Sequence, residues 1–320
     1  MRNEVLFGDC RETLRNLYAQ ITTGIQEKPQ MCVTSPPYYG LRDYGGEKNQ
    51  IGQEQSPEEY IQNLVEVFSS VRDVLSDDGT LWLNMGDSYY NYRPGKGQAL
   101  VDQSLSNGKR DLPDECPRRG NKLDGLKEKD LIGIPWMLAF ALRADGWYLR
   151  QDIIWHKPNP MPESVRDRCT KSHEYIFLLS KNRKYYYDNE AIKEPAKDWG
   201  TRDRTQGKYH NKGTGLQPHS GLTKSYDKKN KRSVWSVTNK PYKGAHFAVF
   251  PPDLIEPCIL AGSNEGDVIL DPFMGSGTTA MVAKKHNRHY IGCELNRDYA
   301  TLQTDRIDSI PTQLPDILWK

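Results

Sequence analysis

Long apolar runs are missing from this chain. Hydrophobic residues fill 36% of its 320 positions and charged residues 27%, and the mean hydropathy is −0.78. No run reaches the roughly 18 apolar residues that a membrane-spanning helix needs. The opening "MRNEVLFGDC" has no apolar core of a secretory leader. A cytoplasmic protein, bacterial, archaeal or phage-encoded, is therefore expected. Cysteine is sparse and scattered, at positions 10, 32, 116, 169, 258 and 293. No two form a C-x-x-C pair, which argues against a zinc ribbon, and no metal is expected. Isolated cysteines in such a chain read as buried, reduced thiols. Charge of one sign is also lacking: the formal net charge is only +2. Any affinity for nucleic acid must then come from local patches. The length suits one large α/β domain with insertions, or two domains.

What is present is more specific. "MCVTSPPYYG", Met31 to Gly40, is a short apolar strand that ends at a serine, two prolines and two tyrosines. Neither proline can donate an N–H, and each has a fixed φ, so neither helix nor central strand can continue. The serine before them is pushed into an extended conformation. The chain thus leaves the strand through a stiff corner carrying a hydroxyl, carbonyl acceptors and aromatic rings.

Elsewhere strands alternate with helices. "EVLFGDC" reads as a strand followed by the helix "RETLRNLYAQI". Residues 57–75 form an amphipathic helix opened by proline and acids, as the helix dipole favours. "DGTLWLNMGDS" is a turn and buried strand. "DLIGIPWMLAFALRADGWYLRQDIIWHKP" gives a helix, a turn at Asp145-Gly146 and a strand. "HEYIFLLSKNRKYYYD" reads as a hairpin about Lys-Asn-Arg. "PPDLIEPCILAG" and "RDYATLQTDRI" are helices. This alternation predicts a doubly wound α/β sheet with crossover connections.

Two segments break the pattern. Residues 89–130 are rich in Gly, Pro and charge and read as a long surface loop. Between Ala196 and Arg232 ten Lys/Arg face three acids. A solvated linker and a nucleic-acid-contacting insert fit that composition equally well. The expected organisation is a catalytic domain over 1–188 and 236–320, with a basic insert over 189–235. The cations expected to meet phosphates are Arg202, Arg204, Lys208, Lys212, Lys228, Lys229, Lys231 and Arg232.

"VILDPFMGSGTTAMVAKK" is the second informative stretch. Val268–Leu270 reads as a buried parallel strand capped by Asp271, and Gly275 and Gly277 allow a tight bend before a helix begins at Thr278 and Thr279. Ligands of open α/β sheets sit beyond such strand ends. A phosphate-binding P-loop would need a lysine that is missing, and a dinucleotide fingerprint would need a third glycine. Alanine stands there at best, which leaves the dinucleotide reading weak; the third reading is a nucleoside without a pyrophosphate. The next strand, "YIGCELN", then supplies an acid for the ribose hydroxyls, Glu294, 23 residues after Asp271.

Asp271-Pro272-Phe273-Met274-Gly275-Ser276-Gly277-Thr278-Thr279 closely resembles the S-adenosylmethionine-binding motif of the exocyclic-amino DNA methyltransferases. Thr34-Ser35-Pro36-Pro37-Tyr38 resembles their catalytic motif, (D/N/S)-P-P-(Y/F). The catalytic motif comes first, the cofactor motif last and the basic insert between, an order similar to the β group of that family. The resemblance covers about residues 4–305. It implies a Rossmann-like methyltransferase fold, a mostly parallel doubly wound sheet with an inserted target-recognition region. The implied cofactor is S-adenosyl-L-methionine, held by Asp9, Phe250, Pro251, the 271–279 motif, Glu294 and Asn296. Asp9 would end the strand that holds the adenine, and it also reads as a helix N-cap. The implied partner is double-stranded DNA, met by a monomer or homodimer in a restriction-modification or orphan setting.

The chemistry implied is methyl transfer to an exocyclic base nitrogen whose lone pair is delocalised into the ring. Ser35 and the Pro36 carbonyl can accept from its two N–H groups, held in place by Pro36 and Pro37. Tyr38 offers a ring on which a flipped-out base can stack. Ser35 at the first motif position favours cytosine N4, with adenine N6 as runner-up. An RNA methyltransferase and a catalytically inactive DNA-binding protein are weaker readings. Ring-carbon methylation would need a cysteine nucleophile, and Cys258 after Pro257 reads as a core thiol. His156-Lys157 and Ser172-His173-Glu174 lack metal-ligand spacing and read as structural; the resemblance puts Trp155 and His156 near the base pocket.

Overall fold

The computed structural model describes residues 2–40, 50–90, 123, 125–196, 227–239 and 250–311. Among these residues eight strands form one sheet. In chain order its elements are β1 (Glu4–Phe7), α1 (Cys10–Thr22), β2 (Met31–Thr34), α2 (Pro57–Val74), β3 (Thr80–Met85), α3 (Ile134–Ala144), β4 (Tyr148–His156) and β5 (His173–Ser180). A two-stranded ribbon, β6 (Glu194–Pro195) and β7 (Lys228–Lys229), precedes β8 (Val234–Ser236). Then come α4 (Pro252–Gly262), β9 (Val268–Asp271), α5 (Thr278–Lys285), β10 (His289–Glu294) and α6 (Tyr299–Asp308).

The strand order is β1-β10-β9-β2-β3-β5-β4-β8. All neighbours are parallel except β5, which runs antiparallel to both β3 and β4. The expected mostly parallel, doubly wound sheet is therefore present. The two C-terminal strands slot between β1 and β2, so motifs at opposite ends of the sequence end on adjacent strands. From β2 the chain winds through α2 to β3; from β9 it winds through α5 to β10, in the opposite direction. Right-handed crossovers running in opposite directions put their helices on opposite faces. Accordingly one apolar core joins the sheet to α1, α2 and α3, and a second joins it to α4 and α5. The crevice between β2 and β9 is the topological switch point, where open α/β sheets bind ligands.

α2 shows how sequence sets this packing. Ser56 accepts from Glu59 N at 3.1 Å as N-cap, and Pro57 opens the helix. Tyr60, Leu64, Val67, Phe68, Val71 and Val74 then recur at helical spacing and are all fully buried. Phe68 meets the edge of Phe273, from the 271–279 segment, at 6.4 Å between ring centres.

Some expectations need correction. The chain bends over residues 181–184, but beyond it forms no return strand: β5 pairs with β4 and β3 instead. The tyrosine run is drawn off the sheet because Tyr186 N bonds to Asp78 O and Asp188 N to Ala261 O, while Tyr187 stacks on Trp82. Cys10, Cys32, Cys258 and Cys293 are buried, but Cys169 is exposed, because it lies in the loop between β4 and β5 rather than in an element. Cys116 and residues 91–122 of the 89–130 segment lie outside the described residues. Of the insert, 197–226 lies outside them too; its last residues enter the main sheet as β8, beside β4. No helix among the described residues is long and apolar enough to cross a membrane.

Replacing Phe68 with Ala removes a fully buried ring from under the 271–279 segment and is expected to cost about 3–5 kcal/mol of stability. Urea unfolding measures this, and a change below 1 kcal/mol would contradict the packing described.

Candidate active site

Parallel β2 and β9 bring Thr34 and Asp271 to neighbouring carboxyl ends. Thr34 Oγ1 donates to Asp271 Oδ1 at 2.6 Å, Thr279 Oγ1 to Oδ2 at 2.6 Å, and Phe273 N to Oδ1 at 3.0 Å. Asp271 is only 1% exposed. Burial pushes its carboxyl up to about 6, against the three donors that favour the charged form. One side chain thus joins the strand before the Ser-Pro-Pro-Tyr corner to the glycine bend and to the start of α5.

The bend itself needs glycine. Gly275 and Gly277 have φ of 53° and 82°, in the left-handed region that side chains disfavour. Glu294, at the end of β10, accepts from Gly275 N at 2.8 Å and from Asn296 N at 2.9 Å. Burial pushes its carboxyl up to about 7, although these backbone donors pull the other way. Asn296 in turn accepts from Asp298 N. α6 braces the bend: Gln303 Nε2 donates to Gly275 O at 2.6 Å and Arg306 Nη1 to Ser276 Oγ at 2.6 Å. The Thr278 hydroxyl is buried without a partner among the described residues. Pro251 caps α4, and Phe250 packs against the α4–α5 core.

Asp9, past the end of β1, is the N-cap of α1. It accepts from Arg11 N at 2.9 Å and pairs with the Arg11 guanidinium at 2.6 Å. Burial raises its carboxyl, but the Arg11 contacts more than offset this and leave it below the ordinary carboxylate range. The capping role weighed from sequence is present.

At the corner, Tyr60 of α2 donates to the Pro37 carbonyl at 2.7 Å and so pins the prolines from behind. Tyr38 lies against Gly86, just past β3; a Cβ added there would come within 2.6 Å of the ring. Its hydroxyl donates to Glu174 Oε2 at 2.7 Å and lies 3.3 Å from Asn84 Oδ1. Ser35 Oγ donates to the Tyr38 hydroxyl at 3.5 Å. Burial, then the facing Glu174 carboxylate, pushes the Tyr38 phenol well above its ordinary range, so it keeps its proton at neutral pH. Lys157 forms an ion pair with Glu174 and lies over the Trp155 ring. Trp155 is buried and donates to Val237 O, and His156 Nδ1 meets Ser236 Oγ at 3.0 Å.

Sequence reasoning quoted Thr34 with the catalytic motif but gave it no role, did not single out Gly86, Tyr60 or Gln303, and gave Glu174 a merely structural role. The "G-D-S" after an apolar strand and the acid opening "HEYIFLLS" were visible signals, but their partners are 48 and 136 positions away. Cys258 is fully buried within α4 and its thiol is pushed up by burial, as a core residue should be. Among the described residues, no three His, Cys, Asp or Glu are placed to hold a metal ion. Arg202, Arg204, Lys208 and Lys212 lie outside the described residues. Lys229, Lys231 and Arg232 gather within 4.0 Å of the single carboxylate of Glu194. Lys228 pairs with Pro195 across the ribbon.

An open α/β sheet with a glycine bend and a rigid acceptor corner at its switch point defines a doubly wound protein with one composite crevice. The sequence pattern of the N6/N4 DNA methylase family matches residues 30–305, and the chain belongs to that family. It is 48% identical over 304 residues to the type II methyltransferase M.SmaI of Serratia marcescens, covering 95% of this chain and 90% of that protein. It is 45% identical to M.XycI of Xanthomonas campestris pv. cyanopsidis, covering 96% and 88%. Among solved structures, the cytosine-N4-specific PvuII DNA methyltransferase superposes with a TM-score of 0.61 at 16% identity, over 99% of this chain and 88% of that one. M1.HpyAVI, solved with S-adenosylmethionine, gives 0.55 at 17% identity over 95% and 98%. These two show the shared fold.

Thr34→Val keeps the shape of the side chain but strips one donor from a buried carboxylate. A loss of about 1–3 kcal/mol is expected in urea unfolding with an unchanged m value; wild-type stability would show that the bond contributes nothing.

Proposed function

We propose that this DNA methyltransferase moves a methyl group from S-adenosylmethionine to the exocyclic N4 of a cytosine flipped out of double-stranded DNA. One observation carries the reading: the Ser35 corner and the Gly275–Gly277 bend leave adjacent strands and are joined through Thr34 and Asp271. A donor at the bend and an acceptor at the corner would therefore share one crevice.

The residues present fit the cofactor. The left-handed bend brings backbone close to a ligand, the buried Thr278 hydroxyl has a free bonding capacity, and the Glu294 carboxylate has lone pairs beyond those its backbone donors use. Glu294 would accept from the ribose hydroxyls. Asp271, Pro272, Phe273, Ser276 and Thr279 shape the bend, Phe250 and Pro251 the α4 wall, and Asp9 the adenine end. When bound, S-adenosylmethionine supplies an electrophilic methyl on a sulfonium.

Ser35 Oγ and the Pro36 carbonyl accept from the amine's N–H groups and draw the nitrogen toward sp³ character. Because Tyr60 and Gly86 already fix the corner, little reorganisation accompanies the reaction. Tyr38 meets the base ring. A serine rather than an acid at position 35 is what favours cytosine; the same acceptors would serve adenine N6. The β6–β7 cations, with the rest of the insert, would neutralise phosphates. The enzyme would then work on cytoplasmic DNA.

Digesting methylated DNA to nucleosides, with mass spectrometry, should give N4-methylcytosine; N6-methyladenine instead would reverse the choice of base. Ser35→Ala should lower methyl transfer by about 100-fold or more while leaving cofactor affinity within twofold. Full activity would remove Ser35 from the chemistry.

Cofactor binding should depend on Glu294 ionisation. A carboxylate would accept from both ribose hydroxyls and a carboxylic acid would not, so the ionised form should bind more tightly. With burial pushing this carboxyl up to about 7, affinity should be flat above that pH. It should fall by up to about tenfold per pH unit below it, since one pKa unit is about 1.4 kcal/mol. Calorimetry checks this, and Glu294→Gln should flatten the profile. A persistent slope in that variant would assign the proton elsewhere.

A further inference from the structure

We propose that Glu174 is a positioning residue for methyl transfer: through Tyr38 it turns Ser35 into an acceptor and takes up the proton that the target amine releases. The inference rests on the amino-methyltransferase reading above and concerns a residue at the start of β5, far in sequence from either motif. The direction of the hydrogen bonds is the key. Ser35 Oγ lies 3.5 Å from the Tyr38 hydroxyl, on its acceptor side, and the Tyr38 hydroxyl donates to Glu174 Oε2 at 2.7 Å. Glu174 as a carboxylate can only accept. Each hydroxyl in the chain therefore spends its proton toward Glu174, and the Ser35 lone pairs remain to receive an N–H from the base. A neutral amide at 174 would relax that order, since it offers donors as well as an acceptor.

Two further contacts hold the carboxylate in place. Lys157 pairs with Oε1, and Asn84 Nδ2 donates to Oε2 at 3.2 Å while also binding Tyr175 O at 3.1 Å. Gly86 leaves room for the Tyr38 ring, so its hydroxyl reaches across to β5. The Tyr38 phenol stays protonated at neutral pH, as a relay donor must.

The balance is as follows. The amine lone pair forms the N–C bond while the methyl's bond to sulfur breaks and its electrons stay on sulfur. The methylated nitrogen is then cationic and loses one N–H proton to Ser35 Oγ. The Ser35 proton moves to Tyr38, and the Tyr38 proton moves to Glu174, which becomes a neutral acid beside Lys157. Both hydroxyls are regenerated, and Glu174 passes the proton to solvent before the next turnover.

The test uses the full-length enzyme, Glu174→Gln, Tyr38→Phe and the double variant. In cofactor-free protein with 13Cζ-tyrosine, the Tyr38 resonance should move upfield in Glu174→Gln as its carboxylate partner is lost. Single-turnover methyl transfer should fall about 10- to 100-fold with DNA and cofactor affinity within twofold. The solvent deuterium isotope effect of the wild type should shrink toward unity. The double variant should be no slower than Tyr38→Phe alone, because both cut one chain, and Glu174→Asp should recover part of the rate. A wild-type rate and isotope effect in Glu174→Gln, or additive losses in the double variant, would overturn the proposal. Absence of methyl transfer by the wild type on any DNA would instead count against the reading beneath it.

Discussion

The buried hydrogen bond from Thr34 to Asp271 holds the two halves of the site together. It joins residues 237 positions apart. Burying a carboxylate is costly unless its oxygens are satisfied. Here two threonine hydroxyls and the Phe273 amide do this, and each hydrogen bond to a charged group is worth about 1.5–3 kcal/mol. Burial nevertheless dominates and holds the group near 6. The acid is therefore kept at some cost in a place where an apolar residue would pack more cheaply. What it secures is geometry: the strand end that launches the proline corner, the amide that starts the glycine bend and the first turn of α5 all bond to one side chain.

That arrangement explains why the order of motifs along the chain does not matter to the crevice. β2 and β9 are neighbours because their apolar residues pair within the sheet, not because one follows the other. Placing β9 and β10 between β1 and β2 makes the winding reverse there, and the reversal opens the crevice. The loops after β2, β3, β4, β9 and β10 all leave the same carboxyl edge, so chemistry carried by distant segments converges on one side of the sheet.

The sequence made the elements legible and left their partners hidden. Period and caps predicted α2 to within a residue, and Asp9 as a cap. The proline pair and the glycine bend marked both halves of the crevice, because their chemistry is local: fixed φ in one, positive φ in the other. Glu174, Gly86, Tyr60 and Gln303 were not legible. Each acts on a motif from another element, and nothing in its own neighbours says which. The tyrosine run misled for the same reason. Tyr185–Tyr187 has strand propensity, but β5 had already found antiparallel partners on both sides. The ring of Tyr187 was better used against Trp82, so tertiary packing overrode local preference.

The corner also shows what preorganisation demands beyond stiff prolines. Two prolines fix a backbone path, but they do not decide which way a serine hydroxyl points. A hydroxyl rotates freely, and one that points its proton into the crevice cannot accept there. An orientation must come from outside the motif, from an acceptor that cannot donate. Among the described residues Glu174 meets this condition and reaches Ser35 through Tyr38, so the tyrosine has two constraints: a ring that fits against Gly86 and a hydroxyl within reach of β5. Phenylalanine would satisfy the first and not the second. For this reason the aromatic position belongs to the electrostatics of the corner as much as to its shape.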